Sequence, residues 1–284
     1  MTADGLEIRP AGTAPEQLAA YAQLLSKVFG AAPKFTAQSV AWRYRDNPAG
    51  AVVGADAWAG ETLAAHYVTC PLWAHVDGQR VHGLLSMNTA THPDFQGKGL
   101  FTRLAQATYE QGRSGGYGFV IGVANGNSTP GFLRRLAFQH VGSLRAGILP
   151  RAPRRFTAAA VQYQADWSPA LIGWRLANPA TRYRVGHSGA LTGVWAPTHL
   201  PMVRCAAFLE TEDDLAPGRG RPLGPALFLG LEPRIDLASL GFVPLPERFR
   251  ASPLNLIWRA LGDGAPAHLH PDRAVINFLD FDPY

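Results

Sequence analysis

Three things are scarce in this chain of 284 residues. It has two cysteines, Cys70 and Cys205, far apart in sequence and without metal-ligand neighbours. That argues against a disulfide framework or a zinc site and fits two buried thiols in a reducing compartment. No segment approaches the roughly 18 consecutive apolar residues of a membrane span, and the opening MTADGLEIRP has no basic head before an apolar run. The expectation is a cytoplasmic protein with no membrane partner. Charge of one sign is also lacking: the net is +5, and much of it gathers at Arg145, Arg151, Arg154 and Arg155. No extended basic face for nucleic acid is expected, whereas a local anion site is compatible.

What is present is a 47% hydrophobic composition, enough for sizeable cores in one large domain or two ordinary ones. LEIRPA alternates like a short strand. Leu18, Tyr21, Ala22, Leu25, Val28 and Phe29 recur at helical spacing between Pro15 and Gly30, and TAQSVAWRYRDNP reads as a second helix closed by Asn47-Pro48. AVVGADAWAG, ETLAAHYVTCPLWAHV and QRVHGLLSMNTATH follow as antiparallel strands, with turns at Ala59-Gly60-Glu61 and Asp77-Gly78. Then come a helix to about Gly112, the strand GFVIGVAN, a short helix in STPGFLRRL and a strand from FQHVG. Near the end, PLNLIWRAL and AVINFLDFDPY read as a hairpin.

Two segments echo earlier ones in the same order. WRYRDNP at Trp42 returns as WRLANP at Trp174, and LAFQHV at Leu136 returns as LGFVPL at Leu240. The offsets are 132 and 104 residues, so the second half is the shorter between its echoes. A duplication explains this order. Where the first half has its Gly-Lys-Gly segment and long helix, the second has only ETEDDLAPGRGRPLGPALFLG, so a phosphate loop is expected in the first half alone. The expected division is 1–150, a linker at 151–160 rich in Pro and Arg, and 161–284. Both halves carry Trp-Arg, so Trp42, Arg43, Trp174 and Arg175 read as structural.

The Gly-Lys-Gly segment lies in HPDFQGKGLFTRLAQA, His92 to Ala107. A strand entering a helix through Gln96-Gly97-Lys98-Gly99 exposes unpaired amides at the positive end of the helix dipole, and glycine lets an anion approach them. The stretch is neither G-x-x-x-x-G-K-[ST] nor G-x-G-x-x-G.

THPDFQGKGLFTRLA resembles the pyrophosphate loop of the GNAT acyltransferase superfamily, [RQ]-x-x-G-x-[GA] at the start of the longest helix. Gln96 and Gly99 match, and Phe101 departs where Gly or Ala is usual. VANGNSTPGFLRRLAFQHVG is similar to the family's later block: Asn127 and Phe138 match, Ala137 replaces a glycine, and Leu133 falls where many members carry a tyrosine that protonates the leaving thiolate. QGKGLF with NGNSTPGF looks more specifically like the branch acting on nucleotide-linked amino sugars.

The resemblance implies an α/β fold of two tandem GNAT-like mixed-sheet halves, the second degenerate. It also implies acetyl-CoA or another short acyl-CoA as cosubstrate, no metal, and a small-molecule amine as acceptor. A homo-oligomer is left open. Acyl-CoA would part the strands ending near Thr91 and Asn125, with a bulge at Asn88, Thr89 and Ala90 freeing an amide for the carbonyl. The pyrophosphate would lie on Gln96, Gly97, Lys98, Gly99, Leu100, Phe101 and Thr102, with Asn125 and Asn127 along the pantetheine and Arg134 toward the nucleotide. LLSMNTAT offers no titratable base. The catalytic candidates are therefore Thr89 at the bulge, His66 on the preceding strand and Asp280, which could orient an amine held between the halves. A CoA-binding sensor or scaffold and a protein N-acetyltransferase are the alternatives.

Overall fold

A computed structural model describes residues 5–198, 202–210, 225–246 and 252–282. The first half runs β1 (Glu7–Pro10), α1 (Pro15–Phe29), α2 (Ala37–Tyr44), β2 (Val53–Ala59), β3 (Thr62–Val76), β4 (Gln79–Thr91), α3 (Leu100–Ser114), β5 (Phe119–Asn125), α4 (Thr129–Arg135), β6 (Gln139–Ser143) and β7 (Arg145–Leu149). The second runs β8 (Tyr163–Ala165), α5 (Pro169–Leu176), β9 (Arg184–Ser188), β10 (Leu191–Pro197), β11 (Arg204–Leu209), β12 (Ala226–Leu231), β13 (Val243–Pro244), β14 (Leu254–Ala260), β15 (Ile276–Asn277) and α6 (Phe278–Phe281).

Local chemistry accounts for the punctuation. Pro15 opens α1 at its first position, where the missing N–H costs nothing, and Gly30 closes it at φ 86°. Asp77 and Gly78 both have positive φ (46° and 80°), the backbone of a tight two-residue hairpin turn between β3 and β4. Thr36 Oγ1 accepts the Ser39 amide to cap α2, and Ser168 Oγ accepts the Leu171 amide to cap α5. Each cap stands at the same distance before its tryptophan, so the echo extends to the capping chemistry.

The strands form two mixed sheets. The first is ordered β1-β2-β3-β4-β5-β14-β6, with β8 added to β3, and the second β13-β7-β12-β11-β10-β9, with β15 added to β12. In each sheet two central strands are parallel, β4 with β5 and β11 with β12, and the rest pair antiparallel. The halves therefore correspond strand for strand in order and direction: β2 to β9, β3 to β10, β4 to β11, β5 to β12 and β6 to β13. The remaining strand of each half is exchanged. β7 follows the first half in sequence but lies between β12 and β13, while β14 follows the second and lies between β5 and β6. The sheets thus cross the division expected at residue 150. The expected C-terminal hairpin is absent: 254–260 belong to the first sheet and 276–277 to the second.

The inner faces of the sheets share one core, in which Leu85, Ile121, Leu256 and Trp258 of the first sheet join Val194, Ala207, Leu229 and Leu231 of the second. The outer face of the first sheet packs on α3 through Tyr67, Leu100, Leu104, Tyr109 and Val120. α1 and α2 cover Val68 and Cys70. The two halves meet at the echoed tryptophans, whose rings stack at 4.4 Å and 16°. Trp42 Nε1–H donates to the Trp174 carbonyl and Trp174 Nε1–H to the Trp42 carbonyl, each at 3.1 Å. That reciprocity is what a two-fold relation between halves requires. The second echo behaves likewise. Ala137 (φ 53°) and Gly241 (φ 75°) make the same left-handed turn into β6 and β13. Next to each, the Phe138 amide bonds the Phe132 carbonyl and the Phe242 amide bonds the Leu237 carbonyl.

Candidate active site

β4 and β5 pair in parallel only from Leu84–Ser86 to Val120–Gly122. Beyond that they part, leaving 87–91 and 123–125 facing a gap. Along the other edge of β4 the register slips: His66 pairs Ala90 and Val68 pairs Met87, so Asn88 and Thr89 together oppose Tyr67. This is a β-bulge, which leaves one residue outside the ladder. Asn88 takes φ 50° to make it, a conformation asparagine tolerates better than most residues. Thr89 and Thr91 are half-buried and Ala90 is buried.

The second half lacks both features. β10 and β11 pair in unbroken register through Leu209. β12 also leaves β11 early, after Phe228, but Gly230 and Leu231 then pair Asn277 and Ile276 of β15. Because Gly230 pairs Arg145 of β7 on its other side, β15 occupies the gap between β11 and β12. A Cβ on Gly230 would stand 2.1 Å from the Ile276 carbonyl oxygen, so only glycine admits this strand. Residues 92–118 join β4 to β5, and only 210–225 join β11 to β12. The expectation that this shorter connection lacks a phosphate loop falls on 211–224, outside the described residues.

At the start of α3, Gly97 (φ 78°) and Gly99 (φ 68°) are both left-handed, with open space where a side chain would be. Gly99 is the N-cap and supplies no side-chain oxygen to the first turn. The first helical bond in this turn is donated by Arg103, to the Gly99 carbonyl. The preceding amides, from Gly97 to Thr102, have no backbone or side-chain acceptor among the described residues, and Gln96 to Gly99 are exposed. Several converging, unsatisfied N–H groups at a helix N-terminus form an anion cradle. Phe101 does not obstruct it. Its ring turns inward, 5.2 Å from Phe132 edge to face and 5.9 Å from Tyr67. Gly131 of α4 makes room, since a Cβ there would lie 3.1 Å from the Phe101 ring.

Past β5, Asn125 Oδ1 accepts the amides of Asn127 and Ser128, so its side chain shapes the turn into α4. Asn127 and Arg134 are exposed. Leu133 is half-buried against the α3–α4 aromatic cluster and brings no hydroxyl. Two phenols under this cluster are buried: Tyr67, pushed up to about 12 by burial, bonds Ser86 Oγ at 2.8 Å and the Tyr109 hydroxyl.

His66 is fully enclosed and set in a chain of donors that begins at the bulge. Asn88 Nδ2 donates to the Tyr44 hydroxyl (3.0 Å), which lies 3.1 Å from His66 Nε2. His66 Nδ1 lies 2.6 Å from Asp56 Oδ1, and Tyr21 donates to Asp56 Oδ2 (2.6 Å) while stacking on the imidazole at 4.1 Å. Burial raises Tyr44 and Tyr21 far above the ordinary phenol value. Both His66 nitrogens are engaged, and its link to the gap is indirect, through Tyr44 and Asn88. Sequence reasoning missed Tyr44 and Asp56. The available signal was Asp56 itself, a carboxylate between alanines in the middle of a strand.

Asp280 lies at the seam between the halves, lining a cavity of about 40 Å³ that also reaches Met87, the residue before the bulge. A second cavity of about 180 Å³ opens from Asp280 toward Asp166, Glu210 and Arg234. Burial pushes the Asp280 carboxyl up to about 7, while the Asn277 amide, bonded at 2.6 Å, opposes that rise. Among the described residues no group of three or more His, Cys, Asp or Glu side chains is arranged to hold a metal ion. Among the described residues no helix is long and apolar enough to cross a membrane.

Residues 7–141 match the model of a domain described as an acetyltransferase (GNAT) domain. Among solved structures, the chain is similar to a conserved protein from Enterococcus faecalis described as a probable N-acyltransferase (TM-score 0.63, 11% identity, covering 90% of this chain and 73% of that one). It is also similar to a GCN5-related N-acetyltransferase from Kribbella flavida (0.61, 14%, 92% and 72%). A tandem GNAT protein from the clavulanic acid biosynthesis pathway matches over nearly its whole length (0.55, 11%, 91% and 99%). At such identities the likeness is one of fold. No curated protein matches the sequence.

Proposed function

With residues 7–141 forming a GNAT acetyltransferase domain, whose chemistry is acyl transfer, we propose that the chain moves an acetyl or other short acyl group from CoA to the primary amine of a small molecule, an amino sugar being the expected class. The amine nitrogen attacks the thioester carbon. The C–N bond forms, the C–S bond breaks, and the thiolate leaves with a proton that the ammonium gives up. The contribution of the protein is to hold the two reactants together and polarise the carbonyl, rather than to supply a nucleophile.

The observation that carries this reading is the row of unsatisfied amides from Gly97 to Thr102 beside an open gap between parallel strands. In the proposed arrangement the pyrophosphate lies on Gln96 to Thr102, the pantetheine runs past Ala90, Thr91, Asn125 and Asn127, and Arg134 faces the nucleotide. The bulge at Thr89 offers the carbonyl an amide, and residues 161–284 supply part of the acceptor site through Asp280. The position of Phe101 supports the cradle, because its bulk is housed by Gly131.

Gly99→Glu tests the cradle. It puts a carboxylate and a Cβ at φ 68° where the phosphates would sit, and CoA affinity should fall at least about 100-fold, roughly 2.7 kcal/mol. Isothermal titration reads the affinity and circular dichroism the fold. Retained affinity in a folded variant would falsify the assignment. A second reading, a CoA-binding protein without turnover, is favoured by the burial of His66 and the leucine at 133. Release of free thiol from acetyl-CoA over a panel of amines separates the two.

A further inference from the structure

The seam holds an imbalance of buried charge that acyl transfer does not use. Arg43 of α2 and Arg175 of α5 follow the stacked tryptophans in each half, with side chains only 6% and 7% exposed. Among the described residues, the carboxylate that both approach within ion-pair distance is Asp282. Arg43 Nη2 bonds Asp282 Oδ2 at 2.7 Å, whereas Arg175 Nη1 stays 3.6 Å away, outside hydrogen-bond reach. Asn178 Nδ2 donates to the same Oδ2 at 2.7 Å, which leaves that oxygen no lone pair for Arg175, and the Tyr183 hydroxyl donates to Oδ1 at 2.7 Å.

Three guanidinium donors, Arg43 Nε, Arg175 Nε and Arg175 Nη1, are buried without an acceptor among the described residues. Cation–π contact of Arg175 with Trp174 (4.7 Å) and Trp42 (5.7 Å) offsets part of the desolvation of its charge but gives its N–H groups no acceptor. A buried, unpaired guanidinium N–H is among the costlier arrangements a protein can hold. Both arginines line the cavity of about 40 Å³, room for roughly three or four heavy atoms. Its other walls include Cys70, Leu72, Leu85 and Met87. Asp280 lines it too, but makes no ion pair with Arg175. Burial raises its carboxyl to about 7.

We propose that this seam is a binding site for one small carboxylate, with the oxygens on Arg175 and Arg43 and the carbon end against the apolar wall. Polar donors at one end and hydrocarbon at the other select a carboxylate over a sulfate or phosphate, which needs donors all round. Its occupant is either a free carboxylate, unconnected with acyl transfer, or the acid end of an acceptor whose amine reaches past Met87 to the bulge, which rests on the proposed function.

The test is thermal unfolding of the full chain in sodium formate, acetate, sulfate or benzoate at constant ionic strength. Formate and acetate should raise the unfolding midpoint by about 3 °C at roughly 100 mM, with saturation at one equivalent site. Sulfate and benzoate should not. Equal shifts for all four anions, or a shift that climbs without saturating, would overturn the site. Arg175→Lys should abolish the formate response, and a folded variant that keeps it also overturns the proposal. Tryptophan fluorescence reports the same binding in wild type if the variant does not fold, because both guanidiniums lie over the Trp42 ring and that of Arg175 lies over Trp174 as well. The source is decided by rates on matched amines, glycine against methylamine and β-alanine against propylamine. A tenfold preference for the acid-bearing amines, inhibited competitively by formate, assigns the site to the acceptor; stabilisation without competition assigns it to a free anion. Absence of turnover on every amine would count against acyl transfer and leave the thermal test to judge the site.

Discussion

In the first half, β4 carries a bulge at Asn88 and Thr89 and parts from β5 with no strand between them among the described residues. In the second, β11 runs in unbroken register with β10, and β15 lies in the gap beside β12. The two sheets share strand order, parallel pair and echoed helices, so the difference is local. One opening is kept and lined with free amides; the other is closed by hydrogen bonds from the chain's own C-terminal segment. The two halves therefore keep one architecture and differ in what meets the backbone groups of the gap, which in the second half pair with β15.

The comparison breaks most completely if the exchanged strand is removed. A chain ending at residue 253 leaves β5 and β6 without the partner between them and removes Trp258, fully buried and stacked on Phe119 at 4.5 Å. We expect no cooperative unfolding transition and no CoA binding. A truncated chain that still binds CoA would show that the first half stands alone. Next in size is Gly230→Ala, which drives a Cβ into the Ile276 carbonyl. It should cost about 2–4 kcal/mol in chemical denaturation or expel β15, seen as faster amide exchange at 276–277. If the variant is as stable as wild type, β15 does not depend on that close approach. The smallest effect sharpens the symmetry itself. Ala137→Gly gives the first half the residue that Gly241 already supplies at the matching turn. Relief of a left-handed alanine should raise stability by up to about 1 kcal/mol. A loss of stability there would mean the two turns are not equivalent.

Most of the first half was legible in the sequence because its elements announce themselves locally. Helical spacing ends at Gly30, Asp77-Gly78 can hardly be anything but a turn, and Gln96 to Gly99 carries the glycines an anion cradle needs. The duplication was legible through Trp42 and Trp174, although nothing in those strings foretold that the two rings stack on each other. The exchange of β7 and β14 was not legible. Both are ordinary apolar strands, and which sheet a strand joins depends on partners a hundred residues away. The expected C-terminal hairpin failed for that reason: adjacent apolar strands pair in a hairpin only when no distant sheet has a vacancy for them. Around the site, the bulge followed from the resemblance, but the Asn88–Tyr44–His66–Asp56 chain needed α2 folded over β3, a contact no local pattern encodes.

The strand exchange also sets a schedule. During synthesis the loop at 96–102 leaves the ribosome early, yet β5, which borders the gap, has an unpaired edge until residues 254–260 follow. The border of the gap is therefore finished by residues far beyond the strand that forms it, and a chain that stops before them leaves β5 unpaired on that side.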